Sequence, residues 1–201
     1  MIAPALVLAV ALTTGNGEPA ANDARVGTSP CAAWRSERTP PPLIRVLLKA
    51  GRVVTVPFRL YVARVVASEW GSSPTELRRA GAIAVKQYAW SRVIRWSGRS
   101  SRGRCFHVHA DTRDQIYRPG KVPSAEVWAA VYSTWRWTLR NRDGSLIHTG
   151  YRTGARGIRC AHDAGRRLLA RSARRCALAG WSTTAILLRY YGHREPVLWF
   201  R

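Results

Sequence analysis

Residues 56–96 constrain the fold most, because they hold two helical patterns that follow each other with almost no chain between them. Val62, Val65 and Val66 lie at helical spacing, which predicts a first helix over Phe58–Glu69. Only the short segment "GSS" precedes the start of the second pattern. A turn this short allows the two helices to pack antiparallel.

The second helix has a strong start signal in the sequence "SSPTEL". Ser73 is the predicted N-cap, Pro74 takes the first helical position, and Glu76 completes a capping box. The helix is expected to run to about Trp96. Its predicted inward-facing residues are Leu77, Ala80, Ala84 and Tyr88.

The rest of the sequence predicts short strands and further helices. "LIRVLLKAGRVVTVPF" is typical of a β-hairpin, and "WRWTLRNRDGSLIHTGY" of a second one turning at Asp143-Gly144. A polar loop is expected over residues 97–104, followed by short strands and turns. Further helices are predicted over residues 124–135, 164–180 and 182–192. Because strands and helices do not alternate regularly, we expect an α+β fold, a single domain of several helices packed with short β-hairpins.

The N-terminal residues have the pattern of an export signal. The apolar run Ile2–Leu12 has the length of a signal-peptide core and is too short to span a membrane. We therefore predict a signal-like leader and linker over residues 1–30, a proline-rich spacer over 31–42 and a folded domain over 43–201. The expected location is secreted or in the cell envelope, with no stable membrane span in the mature chain. A disordered tail is the alternative.

The four cysteines of an exported chain allow two disulfides in three connectivities. If one helix carried both Cys160 and Cys176, they would lie about 24 Å apart, too far to bridge. We therefore expect one of them to pair with Cys105.

The chain is strongly basic, with 33 lysines and arginines against 11 acidic residues and a net charge of +22. Such a charge favours polyanions such as nucleic acid, anionic lipid surfaces or phosphate-rich wall polymers. The basic residues are spread along the chain, and no zinc-finger spacing, basic zipper or aromatic RNA-binding signature occurs. A nucleic-acid or membrane-surface binder is therefore kept only as an alternative, and nucleic acid is not an expected partner.

Glu69 is the main catalytic candidate, because it closes the apolar stripe of the first predicted helix. Desolvation, and to a smaller extent the negative end of the helix dipole, are expected to raise its pKa. A carboxylic acid that is protonated near neutral pH is what a general acid needs. The alternative is a carboxylate paired structurally with a nearby arginine.

Arg79 and Lys86 lie seven residues apart, on one stripe of the second helix. Facing Glu69, they could hold an acidic substrate group or tune the glutamate; solvated charges are the alternative. A separate group, Cys105, His107 and His109 with nearby aspartates, is the only metal-like cluster. Because no second ligand pair is obvious for a tetrahedral site, no cofactor is expected, with zinc as the less favoured possibility.

Four segments resemble, in their order along the chain, the stage II sporulation protein D family, also called the amidase-enhancer family. They are "VPFRLYVARVVASEW", "LRRAGAIAVKQYAW", "DTRDQIYRPG" and "ALAGWSTTAILLRYYG". The resemblance covers residues 43–192. Within the family, the chain is most similar to the secreted actinobacterial form. It implies an exported protein that acts on peptidoglycan as a lytic transglycosylase, with Glu69 as catalytic residue and Arg79, Lys86 and, less directly, Tyr151 as substrate-binding residues.

The sequence departs from the family pattern at several places. Asp114 stands where many members carry a cysteine that helps to bind zinc, so the resemblance weakens the case for a metal. "YRTGARGIRC" replaces a glycine-rich segment, and "LLARSA" replaces a serine-glutamine motif. A member that binds glycan without cutting it is therefore an alternative.

The predicted function is non-hydrolytic cleavage of the MurNAc-GlcNAc linkage with a 1,6-anhydro product. One carboxyl group, Glu69, suffices for this reaction, whereas ordinary glycosidases use two; Asp111 is the only fallback for a second. The expected partners are glycan strands, anionic cell-wall polymers and a cell-wall amidase. The first alternative is a non-catalytic enhancer of that amidase.

Overall fold

A computed structural model of the protein describes residues 34–95, 98–162, 167–192 and 197–200. The predicted leader, residues 1–30, and Cys31 lie outside the described residues. The described helices are α1 Phe58–Glu69, α2 Thr75–Arg95, α3 Ala125–Ser133, α4 Ala170–Leu178 and α5 Thr183–Tyr191. The described strands are β1 Leu43–Leu47, β2 Val53–Pro57, β3 Gly98–Arg99, β4 Cys105–Phe106, β5 Val108–His109, β6 Trp137–Arg140, β7 Gly150–Arg152, β8 Arg167–Leu169 and β9 Val197–Phe200. This is an α+β fold, as the sequence predicts.

The first hairpin forms as predicted. Strands β1 and β2 pair antiparallel, and Gly51 takes a φ of 73° in the turn between them, a conformation that favours glycine. Strand β5 adds to the other edge of β1 in parallel, giving a three-stranded sheet in the order β2-β1-β5. This sheet places the chain after β5, residues 110–121, next to the end of α1.

Helix α2 forms the centre of the domain. It contacts α1, α3, α4 and α5, and its middle, residues 80–91, is buried except at Tyr88. The turn from α1 is tight, because the Ser73 amide donates to the Trp70 carbonyl at 3.0 Å. None of the described helices is both long enough and apolar enough to cross a membrane.

Close contact between α1 and α2 requires a glycine at position 81. A Cβ at Gly81 would lie 2.7 Å from Cδ2 of Trp70, which is almost fully buried. The Trp70 ring also packs edge-on against Tyr151, at a centroid distance of 5.4 Å. The absence of a side chain at Gly81 therefore sets the position of the aromatic pair next to Glu69.

The second predicted hairpin forms only in part. The turn is present, with Gly144 at a φ of 81° and the Asn141 amide bonded to the Ser145 carbonyl at 3.0 Å. Beyond one isolated bridge between Arg140 and Leu146, however, the strands take other partners. Strand β6 pairs antiparallel with β9, and β7 pairs in parallel with β8.

The predicted helix over residues 164–180 begins only at Ala170, because β8 occupies Arg167–Leu169. Leu168 and Leu169 are buried in this strand. A short apolar run does not distinguish a strand from a helix by periodicity, which is why the sequence alone misassigned it.

The expected disulfide between Cys105 and one of the later cysteines is wrong. Cys160 and Cys176 bond to each other, with their Cα atoms 4.8 Å apart. The bridge is possible because only Cys176 lies on α4, so the distance along a shared helix does not apply. Cys105 is also disulfide-bonded, and its partner is therefore neither of these two.

The predicted spacer is anchored to the domain over residues 34–42. Trp90 on α2 donates from its indole nitrogen to the Ser36 carbonyl at 2.9 Å. The Glu37 carboxylate accepts from the Leu146 amide at 3.0 Å, and the Phe58 amide donates to the Pro42 carbonyl at 2.9 Å. This segment thus ties α2 to the turn after β6.

We expect Gly81→Ala to destabilise the protein by about 1–3 kcal/mol, because a methyl group would overlap the confined Trp70 ring. At an exposed helix position, Gly→Ala would instead raise the free energy of unfolding by about 1 kcal/mol through helix propensity. The sign of the change therefore shows whether position 81 is in close contact. The measurement is the urea midpoint of unfolding. Gly120→Ala is the control, since nothing lies within 4 Å of a Cβ there. Stabilisation of the Gly81 variant would contradict the close contact.

Candidate active site

Glu69 ends α1 and is partly exposed as a residue, with its carboxylate against the loop of residues 110–121. Its Oε1 accepts a hydrogen bond from the Ile116 amide at 2.6 Å. Its Oε2 is buried and has no hydrogen-bond partner within the described part of the chain. One oxygen is therefore held in place and the other is left for a proton.

The pKa of Glu69 lies above its usual value. Burial is the main cause, while hydrogen bonding from the Tyr151 side chain and from the Ile116 backbone lowers the pKa in part. The Tyr151 hydroxyl lies close enough to stabilise the carboxylate, although it makes no hydrogen bond of good geometry to Oε2. The predicted direction of the pKa shift is thus present, with no ion pair to an arginine from Glu69 among the described residues.

Gln115, which sequence reasoning missed, links the residues around Glu69. Its Oε1 accepts from the Tyr61 hydroxyl at 2.8 Å. Its Nε2 donates to the Tyr151 hydroxyl and to the Val85 carbonyl, each at 3.2 Å. Gln115 lies next to Asp114 in the segment "DTRDQIYRPG", and its place in a segment that carries the family resemblance is the one signal that the sequence offers.

Asp114 is the second buried carboxylate of the site, with its side chain only 3% exposed. It accepts from the Tyr88 hydroxyl at 2.6 Å, from the His109 amide at 2.8 Å and from His109 Nδ1 at 2.7 Å, and it pairs with Arg92 at 3.3 Å. Burial raises the pKa of Asp114, but these donors and the charge of Arg92 outweigh it, so that the pKa lies below its usual value. Asp114 thereby fixes the loop that supplies the Ile116 amide.

The metal-like cluster of the sequence does not converge. His107 Nδ1 accepts from the Arg45 amide at 3.0 Å, whereas His109 contacts Asp114. Cys105 is disulfide-bonded. Within the described ranges, no group of three or more His, Cys, Asp and Glu side chains is placed to hold a metal ion.

Arg79 lies beside Glu76 and not beside Glu69. Its guanidinium pairs with the Glu76 carboxylate at 3.0 Å and is 41% exposed. Glu76 in turn accepts from the Thr183 amide at 2.8 Å and from the Thr183 hydroxyl at 2.7 Å. The predicted capping box is therefore wrong: Glu76 binds the first residue of α5, and the Ser73 amide is used by the Trp70 carbonyl.

Lys86 lies inside the domain and is 1% exposed. Its Nζ donates to the carbonyls of Trp137 at 2.5 Å, Trp135 at 2.7 Å and Thr134 at 3.4 Å. Burial lowers the pKa of Lys86 to about 7. The structure thus brings Lys86 to the end of α3 and not into contact with Glu69, and its predicted role in substrate binding stays a prediction.

Two pockets lie near Glu69, which lines neither of them but interacts with a lining residue of each. The loop pocket, of about 740 Å³, is lined by Leu48, Lys49, Ala110, Asp111, Thr112, Ile116, Tyr117, Arg118, Pro119, Gly120 and Lys121. The arginine pocket, of about 480 Å³, is lined by Tyr88, Thr112, Arg113, Asp114, His148, Gly150, Tyr151, Arg152 and Arg167. The pockets share Thr112, and Glu69 interacts with Ile116 of the first and Tyr151 of the second.

Residues 48–139 match the family model described as SpoIID, stage II sporulation protein. This part of the chain, 92 of its 201 residues, is similar to that family. SpoIID proteins are associated with cell-wall peptidoglycan and its degradation. The matched residues include Glu69, Arg79, Lys86 and Asp114, whereas Tyr151 lies beyond them. No curated protein matches the chain.

Tyr151→Phe is expected to raise the pKa of Glu69 further, because it removes a hydroxyl that stabilises the carboxylate. A pH titration of the Glu69 carboxyl carbon by ¹³C NMR measures this pKa. Tyr88→Phe is the matched control, since that hydroxyl binds Asp114 and is expected to leave the pKa of Glu69 unchanged. A fall in the Glu69 pKa of the Tyr151 variant would refute the contact.

Asp114→Asn is expected to lower the free energy of unfolding at pH 7 by about 1.5–3 kcal/mol, because buried donors lose a charged acceptor. The pKa of Asp114 is lower in the folded protein than in the unfolded chain. The charged side chain therefore stabilises the fold fully above the unfolded-state pKa, and this stabilisation is lost as the pH falls through the folded-state pKa. Urea unfolding at pH 7 and at acid pH measures both points. Asp111→Asn is the control, because its ion pair with Arg113 is exposed and worth at most about 1 kcal/mol. Equal losses in the two variants would contradict the special role of Asp114.

Proposed function

We propose that this protein is an exported lytic transglycosylase of the cell envelope that cleaves the MurNAc-GlcNAc linkage of peptidoglycan with Glu69 as both acid and base. One observation carries the proposal: Glu69 has a raised pKa and interacts with a lining residue of each pocket, Ile116 of the loop pocket and Tyr151 of the arginine pocket. The similarity to SpoIID proteins supplies the class of substrate. The transglycosylase reaction is the step that goes beyond this class.

The other carboxylates near the site are already engaged. Asp114 binds Tyr88, His109 and Arg92, and Asp111 forms a bidentate pair with Arg113. Both have pKa values below their usual range, with that of Asp111 at about 2. Hydrolysing glycosidases use two carboxyl groups at a defined separation. A single protonated Glu69 is better suited to a reaction in which no water is added.

The reaction needs two proton transfers, one from Glu69 to the substrate and one from the substrate back to Glu69. Protonated Glu69 donates to the glycosidic oxygen while the bond from C1 of the muramic acid residue to that oxygen breaks. The resulting carboxylate then takes the proton of the C6 hydroxyl of the same residue. The C6 oxygen bonds to C1 and closes the 1,6-anhydro ring, and Glu69 is again protonated.

The hydrogen bonding of Glu69 assigns the two oxygens. Because Oε1 accepts from the Ile116 amide, Oε2 is the oxygen that carries the proton. This atom is shielded from solvent in the free protein, so glycan binding has to expose it. Catalytic hydrogen bonds commonly reach their working geometry only in the substrate complex.

The roles of the other predicted site residues are inferred from their positions in the structure. Tyr151 lines the arginine pocket and interacts with Glu69, which supports a role in binding the glycan. Arg79 is partly exposed and could exchange its pair with Glu76 for a substrate group. Lys86 acts indirectly, by holding the carbonyls of residues 134–137. The net charge of +22 favours retention on anionic wall polymers.

We expect Glu69→Gln to abolish cleavage of denuded glycan strands, because an amide cannot supply the proton. The measurement is mass spectrometry of strands incubated with each protein, in which anhydro-ended fragments are one water lighter than hydrolytic ones. Glu126→Gln is the control, since Glu126 is an exposed residue at the start of α3 and should cleave normally. Anhydro fragments from the wild type and the control alone are the expected result.

Each other outcome identifies a different function. Reducing-end fragments would indicate a hydrolase and make Asp111 the candidate second carboxylate. Absence of fragments, with binding to the wall retained in both proteins, would favour the non-catalytic enhancer of an amidase. Equal binding to any polyanion, with steep salt dependence and no product, would favour the basic-surface binder.

A further inference from the structure

The arginine pocket carries an excess of positive charge that the catalytic proposal does not use. Three arginines and one histidine line it, against a single acidic residue, Asp114. The Asp114 side chain is 3% exposed, already accepts hydrogen bonds from Tyr88 and His109 and forms an ion pair with Arg92, so it contributes little negative charge to the pocket. The open space of about 480 Å³ is large enough for a charged sugar substituent or a phosphate group.

Two of the three arginines have guanidinium groups without a partner in the part of the chain that the structure describes. Arg113 forms two hydrogen bonds to Asp111, at 3.0 and 2.8 Å. The guanidinium groups of Arg152 and Arg167 have no hydrogen-bond or ion-pair partner among the residues that the structure describes, and both residues are exposed. They are therefore available to a ligand.

Pairing of β7 with β8 brings these two side chains to one face. The parallel register places Gly150 opposite Arg167, and Arg152 follows two residues after Gly150, hence on the same face. Cγ of Arg167 lies 3.4 Å from where a Cβ of Gly150 would stand, so the arginine side chain passes across the glycine. The two guanidinium groups thus line one pocket from neighbouring strands.

We propose that the arginine pocket is an oxyanion-binding subsite, in which Arg152 and Arg167 bind a carboxylate or phosphate group of the wall polymer. Guanidinium groups are suited to this, because their planar fork of donors matches two oxygens at once. This inference rests on the proposed function, since Tyr151 connects the pocket to Glu69. The subsite would hold an anionic unit beside the linkage that is cut.

Two sources could supply the oxyanion: the carboxylates of muramic acid on the glycan itself, or the phosphodiesters of another wall polymer. The test measures equilibrium binding by full-length Glu69→Gln protein, so that no cleavage occurs, at about physiological salt, where distant surface charges are screened beyond about 8 Å. The probes are denuded glycan strands, the same strands with their carboxylates amidated, and a short glycerol phosphate oligomer. Binding is compared with and without the added pair Arg152→Gln and Arg167→Gln.

The control carries Arg102→Gln and Arg174→Gln, which remove the same charge from exposed positions outside both pockets. We expect the Arg152/Arg167 variant to bind an oxyanion probe at least roughly tenfold more weakly, as for the loss of a charge-assisted contact. If the subsite binds carboxylates, amidation of the strands weakens their binding to the protein that keeps both arginines and has no further effect on the Arg152/Arg167 variant. If the subsite binds phosphates, the Arg152/Arg167 variant loses affinity for the glycerol phosphate oligomer alone.

Equal losses in the control and in the Arg152/Arg167 variant would show a general charge effect and overturn the subsite. The subsite would also be overturned if the Arg152/Arg167 variant lost the same affinity for native and amidated strands and none for the phosphate oligomer. This binding test involves no cleavage and is therefore independent of the transglycosylase proposal. That proposal fails in the cleavage assay instead, if the Glu69→Gln protein forms product or the wild type forms none. Circular dichroism of each variant confirms that it is folded before binding is compared.

Discussion

The fold depends on the satisfaction of two polar side chains inside its central helix. Lys86 and Gln87 are both buried in α2, where an unpaired polar group would cost several kcal/mol. Lys86 binds three carbonyls of residues 134–137, and Gln87 binds the amide and carbonyl of Leu139 and the carbonyl of Ile147. These bonds hold residues 134–147 against α2, and the chain then continues directly to β7 with Tyr151. A helix far from the surface thus determines where a residue of the site lies.

Two buried carboxylates near each other in the site have opposite electrostatic environments. Glu69 is stabilised only by the Ile116 amide and the Tyr151 side chain, and burial outweighs them, so that its pKa is raised. Asp114 receives several donors and a neighbouring arginine, which keep its pKa low despite burial. The number of donors, more than the depth of burial, separates the two. One group is suited to moving a proton, and the other to fixing the loop around it.

Local patterns predicted the helical pair, the first hairpin and the position of Glu69, because each depends on neighbours in sequence. They failed where a residue's partner is distant. Glu76 satisfies every local rule for a capping box, yet it binds Thr183 at the start of α5. Lys86 has the spacing of a residue facing Glu69, but carbonyls contributed by another segment draw it inward. Gln115 carries no local signal of its role, since its contacts come from α1, α2 and β7.

The disulfide between Cys160 and Cys176 gives the site a dependence on redox conditions. The bridge closes a loop that contains β8, and with it Arg167. In the chain-entropy account, closing a loop of this length removes about 3 kcal/mol of freedom from the unfolded chain. A reduced chain lacks this tether, so β8 is held beside β7 most firmly only after oxidation. Completion of the arginine-lined face is thus tied to the formation of this one disulfide.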